Sequence, residues 1–379
     1  MRAALLAAAL LLAGCARGSA EPGVTLRFWA MGREGEVVQE LVDEFEQAHP
    51  GLRVVVQQIP WGAAHEKLLT AYVGRSTPDL AQLGNTWVSE FAALNAIAPL
   101  DDRIEASAEI APDSFFPGIW DTNVIDGTTY GVPWYVDTRV LFYRSDLLAE
   151  AGYDSVPGTW DGWREAMEAI RRIGGPERYP IFLPTNEYTP WIVFGLAAGS
   201  PLLRERDTRG AFGGPAYRRA AAFYLDLFRR GLAPAVQGAS IANLYQEFER
   251  GTIAMYITGP WNLGEFRRRL SPAMQSSWST SPLPGPDGVE SGVSTAGGSS
   301  LVLFRGSRHP EEAWRLIEFL STAEAQARFF RLTGDLPAHR AAWRDTALTS
   351  DPHLRTFEAQ LTRVVSTPKI PEWEQISLK

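Results

Sequence analysis

Cysteine is almost absent from this 379-residue chain, with Cys15 the single one. No disulfide can therefore close within it, and no cysteine-built metal site exists. Histidine is scarce as well: His49, His65, His309, His339 and His353 are scattered, and none stands at metal-ligand spacing from another. No G-x-x-x-x-G-K-[ST] stretch occurs, which excludes nucleotide hydrolysis through a phosphate loop. Lysine is confined to Lys67, Lys369 and Lys379, so the basic residues are almost all arginine. With 44 acidic against 36 basic residues the net charge is −8, the wrong sign for a nucleic-acid surface. Ala3 to Ala13 is an unbroken apolar run, yet it is too short for a bilayer, which needs about 20 such residues.

That run instead suits the core of a signal peptide, with Arg2 as its charged flank. It ends in Leu12-Ala13-Gly14-Cys15, and small residues before a cysteine resemble the lipobox of bacterial lipoproteins. Residues 1–14 are thus expected to be cleaved, with Cys15 lipidated and residues 15–23 a tether to a bacterial membrane. An ordinary secretion signal cut between Ala16 and Ala20 is the alternative. Either way the chain is expected to be exported, to the periplasm or the outer face of the cell membrane.

Hydrophobic content of 45% and aromatic content of 11% are those of a folded protein. Val24 to Lys379 is too long for one core, since cores stop growing near roughly 250–300 residues, so two lobes are expected. Strand patterns at 24–29, 52–58 and 80–83 alternate with helical patterns at 34–49, 63–73 and 85–95. This predicts an α/β fold with a parallel sheet, and a ligand beyond the carboxyl ends of its strands. Further helices are predicted over 145–151, 160–173 (Thr159 as N-cap), 215–230, 240–250, 262–270 and 310–320. Asp126-Gly127 predicts a hairpin turn, and 252–258 and 299–304 further strands. The segment 282–298 reads as a linker, and Ser321 with Glu324 as a capping box.

One stretch stands apart. Tyr130 to Arg144, YGVPWYVDTRVLFYR, sets an acid and a base into the middle of an aromatic strand pattern. Burying such a pair costs several kcal/mol per ion before compensation. Either it is a structural ion pair, or it faces a polar ligand framed by aromatic rings.

Five segments, in order, resemble signatures of sugar-type solute-binding proteins of bacterial ABC transporters. They are PDLAQLGNTWVSEFAALNAIAPLDD (Pro78–Asp102), YGVPWYVDTRVLFYRSDLLAEAG (Tyr130–Gly152), FERGTIAMYITGPWNLGEFRRRL (Phe248–Leu270), STAGGSSL (Ser294–Leu301) and RLTGDLPAHRAAW (Arg331–Trp343). Among these proteins the segments resemble those of the maltose- and trehalose-binding branch. The resemblance implies a two-lobed periplasmic-binding-protein fold with discontinuous lobes joined by hinge strands, crossing near Asp137, Ala296–Gly298 and Ala338. Lobe 1 would take residues 24–137 and 298–338, and lobe 2 residues 138–297 and 339–379. It further implies a non-enzymatic monomer without cofactor or metal, which closes on a carbohydrate and presents it to the transmembrane permease. Relatives continue past IPEWEQI (Ile370–Ile376) with another helix; this sequence stops at Lys379, so it is either truncated or lacks that helix, and lobe 2 is expected to expose the apolar seam the helix would cover.

Sugar hydroxyls want charged acceptors and forked donors, which makes Asp137, Arg139, Glu187 and Asn85 apt. The apolar C–H faces of a sugar ring pack on aromatic rings, for which Trp61, Trp87, Tyr135, Tyr188, Trp191 and Trp261 are candidates. Glu34, Gly297, Gly298 and Arg331 complete the set, the glycines because bare backbone admits close approach. Trp29, Trp160, Trp163 and Trp314 fall within regular elements and are expected in the core, and Arg267–Arg269 on a solvated helix face. Two rival functions remain: a glycoside hydrolase using Asp137 and Glu187, and the same fold holding a peptide, polyamine or metal.

Overall fold

The computed structural model describes residues 23–238 and 243–377. Cys15, the leader and most of the tether lie outside the described residues, as does the start of the helix expected from Ser240.

The chain opens with β1 (Val24–Met31), β2 (Leu52–Ile59) and β3 (Leu80–Gly84), joined by helices over 32–37, 39–48 and 61–73. β4 (Val124–Ile125) and β5 (Thr128–Thr129) form the small hairpin at Asp126-Gly127. β6 (Val132–Asp137) and β7 (Val140–Arg144) follow, then β8 (Tyr179–Phe182) and a second small hairpin, β9 (Leu203–Arg204) with β10 (Arg209–Gly210). β11 (Ile253–Thr258), β12 (Trp278–Ser281), β13 (Ser294–Leu303), β14 (Leu336–Pro337) and β15 (Val364–Ser366) complete the strands.

Two main sheets result, one in each lobe. The first runs β14-β6-β13-β3-β1-β2, with β15 beside the start of β13; the second runs β12-β7-β11-β8. The first draws on both ends of the chain, while the second takes only strands between residues 140 and 281. The chain passes from the first sheet to the second through Thr138-Arg139 alone. The early alternation is parallel as expected, β2 and β3 both running with β1. The sheet as a whole is mixed, however, because β13 returns antiparallel to both β3 and β6.

Helices cover both faces of the first sheet. On one face Leu26, Phe28 and Ala30 meet Leu41, Val42 and Phe45 of the 39–48 helix and Leu316 and Ile317 of the 310–321 helix. On the other, Trp29, Met31, Ala81 and Leu83 meet Ala64 and Leu68 of the 61–73 helix. Trp134 lies inside this lobe, stacked on Phe329 with centroids 4.3 Å apart. In the second lobe Trp160 stacks on Phe223 at 4.6 Å, with Trp163 beneath. Trp29, Trp160, Trp163 and Trp314 are all buried.

Some boundaries shift for physical reasons. The 34–49 helix is broken at Val38 into two pieces. The N-cap after the 310–321 helix is Thr322, whose Oγ1 accepts from the Ala325 N–H at 3.2 Å, while Ser321 is buried at the end of the preceding helix. The last five residues of the expected linker are already strand, because β15 and β6 supply partners for β13 from Ser294 onward. Unforeseen elements include β12, the 352–361 helix packed on it, the short strands β9, β10, β14 and β15, and a final turn of helix at Trp373–Ser377. Trp373 is buried against Ile192 and Leu202 of the second lobe. Phe212, in the turn before the 215–229 helix, Leu225 on that helix and Ile376 on the final one are exposed large apolar residues there.

Candidate functional site

The site is built where β6 and β13 run side by side toward the second lobe. Asp137 pairs with Gly297, Val136 with Gly298 and Tyr135 with Ser299, with an irregularity just beyond. A side chain at position 297 would collide with the Asp137 carboxylate, and one at 298 with the Tyr135 carbonyl. Gly298 moreover has φ +117°, a conformation that L residues with a Cβ rarely adopt. Both glycines are thus set by backbone approach.

Thr138 and Arg139 make the turn from β6 into β7. The buried Thr138 hydroxyl donates to the Thr295 carbonyl at 2.9 Å, and the Arg139 N–H to Ser294 Oγ at 3.1 Å. These bonds fix the side chains on either side. Arg139 Nη1 donates to Asp137 Oδ1 at 2.9 Å, with both groups partly open to solvent. The same guanidinium lies 4.5 Å from the centre of the Trp261 ring, at the start of the 261–269 helix. Trp261 is half exposed, with 52% of its surface open. A charged donor, a charged acceptor and an open indole face therefore meet where the chain changes lobes.

Below them lies a polar network. The Tyr135 hydroxyl donates to Glu34 Oε1 at 2.8 Å and accepts from Gln82 Nε2 and Ser299 Oγ, each at 3.1 Å. Gln82 is in turn held by the Met31 N–H, which donates to its Oε1 at 2.7 Å. Burial, reinforced by the Glu34 charge, holds the Tyr135 phenol well above its usual pKa. Asp335, just before β14, would fall opposite Asp137 if the β14–β6 register ran one residue further. Burial, with the Glu34 and Asp137 charges adding to it, pushes the Asp335 carboxyl up to about 7.

The wall on the other side comes from the loop after β3. Asn85 is buried; its Oδ1 accepts from Ser300 Oγ at 3.2 Å, and its Nδ2 has no partner. A buried donor left unpaired costs about 1–3 kcal/mol, which a ligand oxygen would recover. Trp87 is buried and meets the more open Trp61 edge-on, with ring centres 5.7 Å apart.

These groups enclose a cavity of about 440 Å³ between the lobes. Trp61, Asn85, Trp87, Tyr135, Asp137, Arg139, Tyr188, Gly297 and Gly298 all line it. Glu34 stands behind Tyr135. Glu187 is an exposed residue whose carboxyl is partly enclosed, which raises its pKa against the lowering influence of Arg139. Two candidates lie elsewhere: Trp191 packs on Tyr224 at 4.0 Å in the second lobe, and Arg331 forms an exposed ion pair with Asp345. Trp191 occupies a turn of the 189–197 helix that faces Tyr224. Arg331 lies in the last turn of the 323–333 helix, within reach of the Asp345 carboxylate.

Sequence reasoning missed Thr86, Thr189, Thr295 and Glu374 on the cavity wall. Glu374 comes from the Trp373–Ser377 helix and accepts from Thr86 Oγ1 at 3.2 Å, so this helix reaches the first lobe. Its position within IPEWEQI was the one available signal. Among the described residues no cluster of His, Cys, Asp and Glu could hold a metal ion, and no helix is long and apolar enough to cross a membrane.

Residues 30–327 match the family described as bacterial extracellular solute-binding protein. The chain belongs to that family. Among solved structures it resembles the sugar-binding protein MalE of Xanthomonas citri, at 49% identity and a TM-score of 0.91, over 94% of this chain and 89% of that one. It is 24% identical to the diacetylchitobiose-binding protein DasA of Streptomyces coelicolor, over 93% of this chain and 82% of that protein. It is 28% identical to an uncharacterized lipoprotein of Streptomyces antibioticus, over 96% of this chain and 83% of that protein. The α/β fold in two lobes is the fold of this family, and carbohydrate binding for ABC transport is what the family and these relatives support.

Proposed function

We propose that this chain is the substrate-binding lipoprotein of a carbohydrate ABC importer, taking an oligosaccharide, such as the disaccharides maltose or trehalose, into the cleft between its lobes. The observation that carries this reading is the pairing of opposite surfaces around one cavity. The Trp61 and Trp87 rings stand on one wall, and the Asp137–Arg139 pair with the unsatisfied Asn85 Nδ2 offers acceptor and donors to hydroxyls. A cavity of about 440 Å³ lies within the range of roughly 300–1,000 Å³ typical of small-ligand sites.

Lobe 1 is assigned to 24–137 and 298–338, and lobe 2 to 138–297 and 339–379. The separate sheet β12-β7-β11-β8 and the packing of the 352–361 helix on β12 and β7 support that division, while β15 and residues 340–344 lie against the first lobe. The chain acts as a monomer, held at the membrane by acylated Cys15, and hands its ligand to the permease. The lipoprotein named among its relatives supports the anchor. Capture without turnover is the expected outcome, with Asp137, held by Arg139, serving as an acceptor for hydroxyls. Incubating the protein with maltose and trehalose while following tryptophan fluorescence tests both parts. The expected result is a saturable change with the sugars recovered intact. Release of glucose would make the chain a hydrolase, and silence from folded protein would remove these ligands.

A further inference from the structure

The pole of the first lobe opposite the cleft holds a second concavity, of about 650 Å³, which the sugar site does not use. β1 and β3 point their carboxyl ends at the cleft, where Glu34 and Asn85 follow them. Thr25 and Arg27 near the start of β1, and Asp79 just before β3, line the far basin. β13 runs the other way, so Arg305, two residues past its end, arrives at the same basin. An eight-residue strand at about 3.3 Å per residue separates the two sites by about 25 Å.

Charge in this basin is one-sided. Arg27, Arg75, Arg305 and Arg308 surround it, with Asp79 the one acid among the described residues of its wall. Asp79 is already engaged: its Oδ2 accepts from the Arg27 backbone N–H at 2.8 Å and its Oδ1 from Ser307 Oγ at 2.7 Å. Arg305 is steered by the Ile97 carbonyl, to which its Nε donates at 3.1 Å, and Arg27 by the carbonyls of Ser76 and Thr77. Backbone carbonyls orient these two guanidiniums; Arg27 also lies 4.0 Å from the Asp79 carboxylate, whereas Arg305 has no such partner among the described residues. Among the described residues Arg75, Arg305 and Arg308 have no carboxylate within ion-pair distance, in a chain whose net charge is −8. Guanidinium forks of this kind match the oxygens of a phosphate.

The same pole carries the start of β1. β1 starts at Val24, and the nine residues back to Cys15 span at most about 30 Å. We propose that this basin is an anion site that holds the phosphate of an acidic membrane lipid, docking the anchored protein, before it engages the permease, with its sugar cleft turned away from the bilayer. The inference rests on the lipid anchor proposed above. Bound this way, the arginines replace their missing counter-charges with headgroups, and the short tether holds them within reach.

The test uses the full acylated chain in nanodiscs of phosphatidylcholine alone, or with a quarter of the lipid as phosphatidylglycerol. Hydrogen exchange of residues 74–79 and 305–309 is the readout. Exchange should slow about fivefold or more with the acidic lipid only. It should return to the uncharged-lipid rate in an Arg75→Gln/Arg308→Gln variant whose sugar affinity is unchanged. Equal exchange in both lipids would overturn the proposal. Protection by inorganic phosphate alone, as strong as by the acidic lipid, would reassign the site to a soluble phosphate and overturn the membrane source. Intact mass reports the acylation of Cys15 separately. If Cys15 is bare, vesicles of the same two compositions are added to the free chain, so that a failed anchor and a failed basin read differently.

Discussion

Asp335 offers the sharpest test of the polar floor beneath the cleft. Its carboxyl is pushed from the ordinary 3.8 to about 7, first by burial and then by the charge of Glu34, with Asp137 adding to it. The folded protein therefore holds a proton that the unfolded chain has released between those two values. Stability must fall as pH rises from about 4 to about 7, and then level off. Three pKa units correspond to an upper bound of about 4 kcal/mol. Asp335 is partly open to solvent, and screening there reduces the expected change to about 2 kcal/mol. Asp335→Asn removes the titration and keeps the shape. Denaturant unfolding of both proteins at half-unit intervals from pH 4 to 8 should show the wild type losing about 2 kcal/mol relative to the variant. A difference that stays constant across this window would refute the burial argument, as would an NMR titration midpoint near 4.

Three further outcomes follow from other parts of the structure. Asp137→Ala and Trp261→Ala should each weaken sugar binding by about tenfold or more, about 1.4 kcal/mol, in calorimetric titration; unchanged affinity in both would remove them from the site. Gly298→Ala should cost about 2–3 kcal/mol in thermal or chemical unfolding, because φ +117° and the Tyr135 carbonyl both oppose a methyl group. Thr322→Ala should lose about 1 kcal/mol as a helix cap, whereas Ser321→Ala should lose little, since its buried hydroxyl has no partner. Comparable losses at 321 and 322 would contradict the observed cap.

Much of this was legible because local signals and tertiary packing agree. The aromatic run around Asp137-Thr138-Arg139 marks the passage between lobes, and Thr159 caps its helix through the Gly162 N–H. Asn85, Trp87, Gly297 and Gly298 were readable from the family signatures that carry them. What stayed hidden depends on partners far away in sequence. β13 begins at Ser294 because β15, seventy residues on, lies beside it. Trp191 and Trp261 look alike as tryptophans at helix starts, yet Tyr224 holds one and Arg139 leaves the other's face open. Glu374 reaches the cavity through a helix of five residues that carries no periodic signal of its own. The proton on Asp335 could not be foreseen, since nothing in its own segment indicates that Glu34 lies close by.

The cavity lined by Trp61, Asn85, Asp137 and Arg139 is proposed to receive a sugar. Calorimetric titration of the protein with a panel of mono- and disaccharides tests it most directly. One site per chain for at least one disaccharide, lost in Asp137→Ala, is the predicted result. No heat from any sugar, with protein shown to be folded, would contradict it.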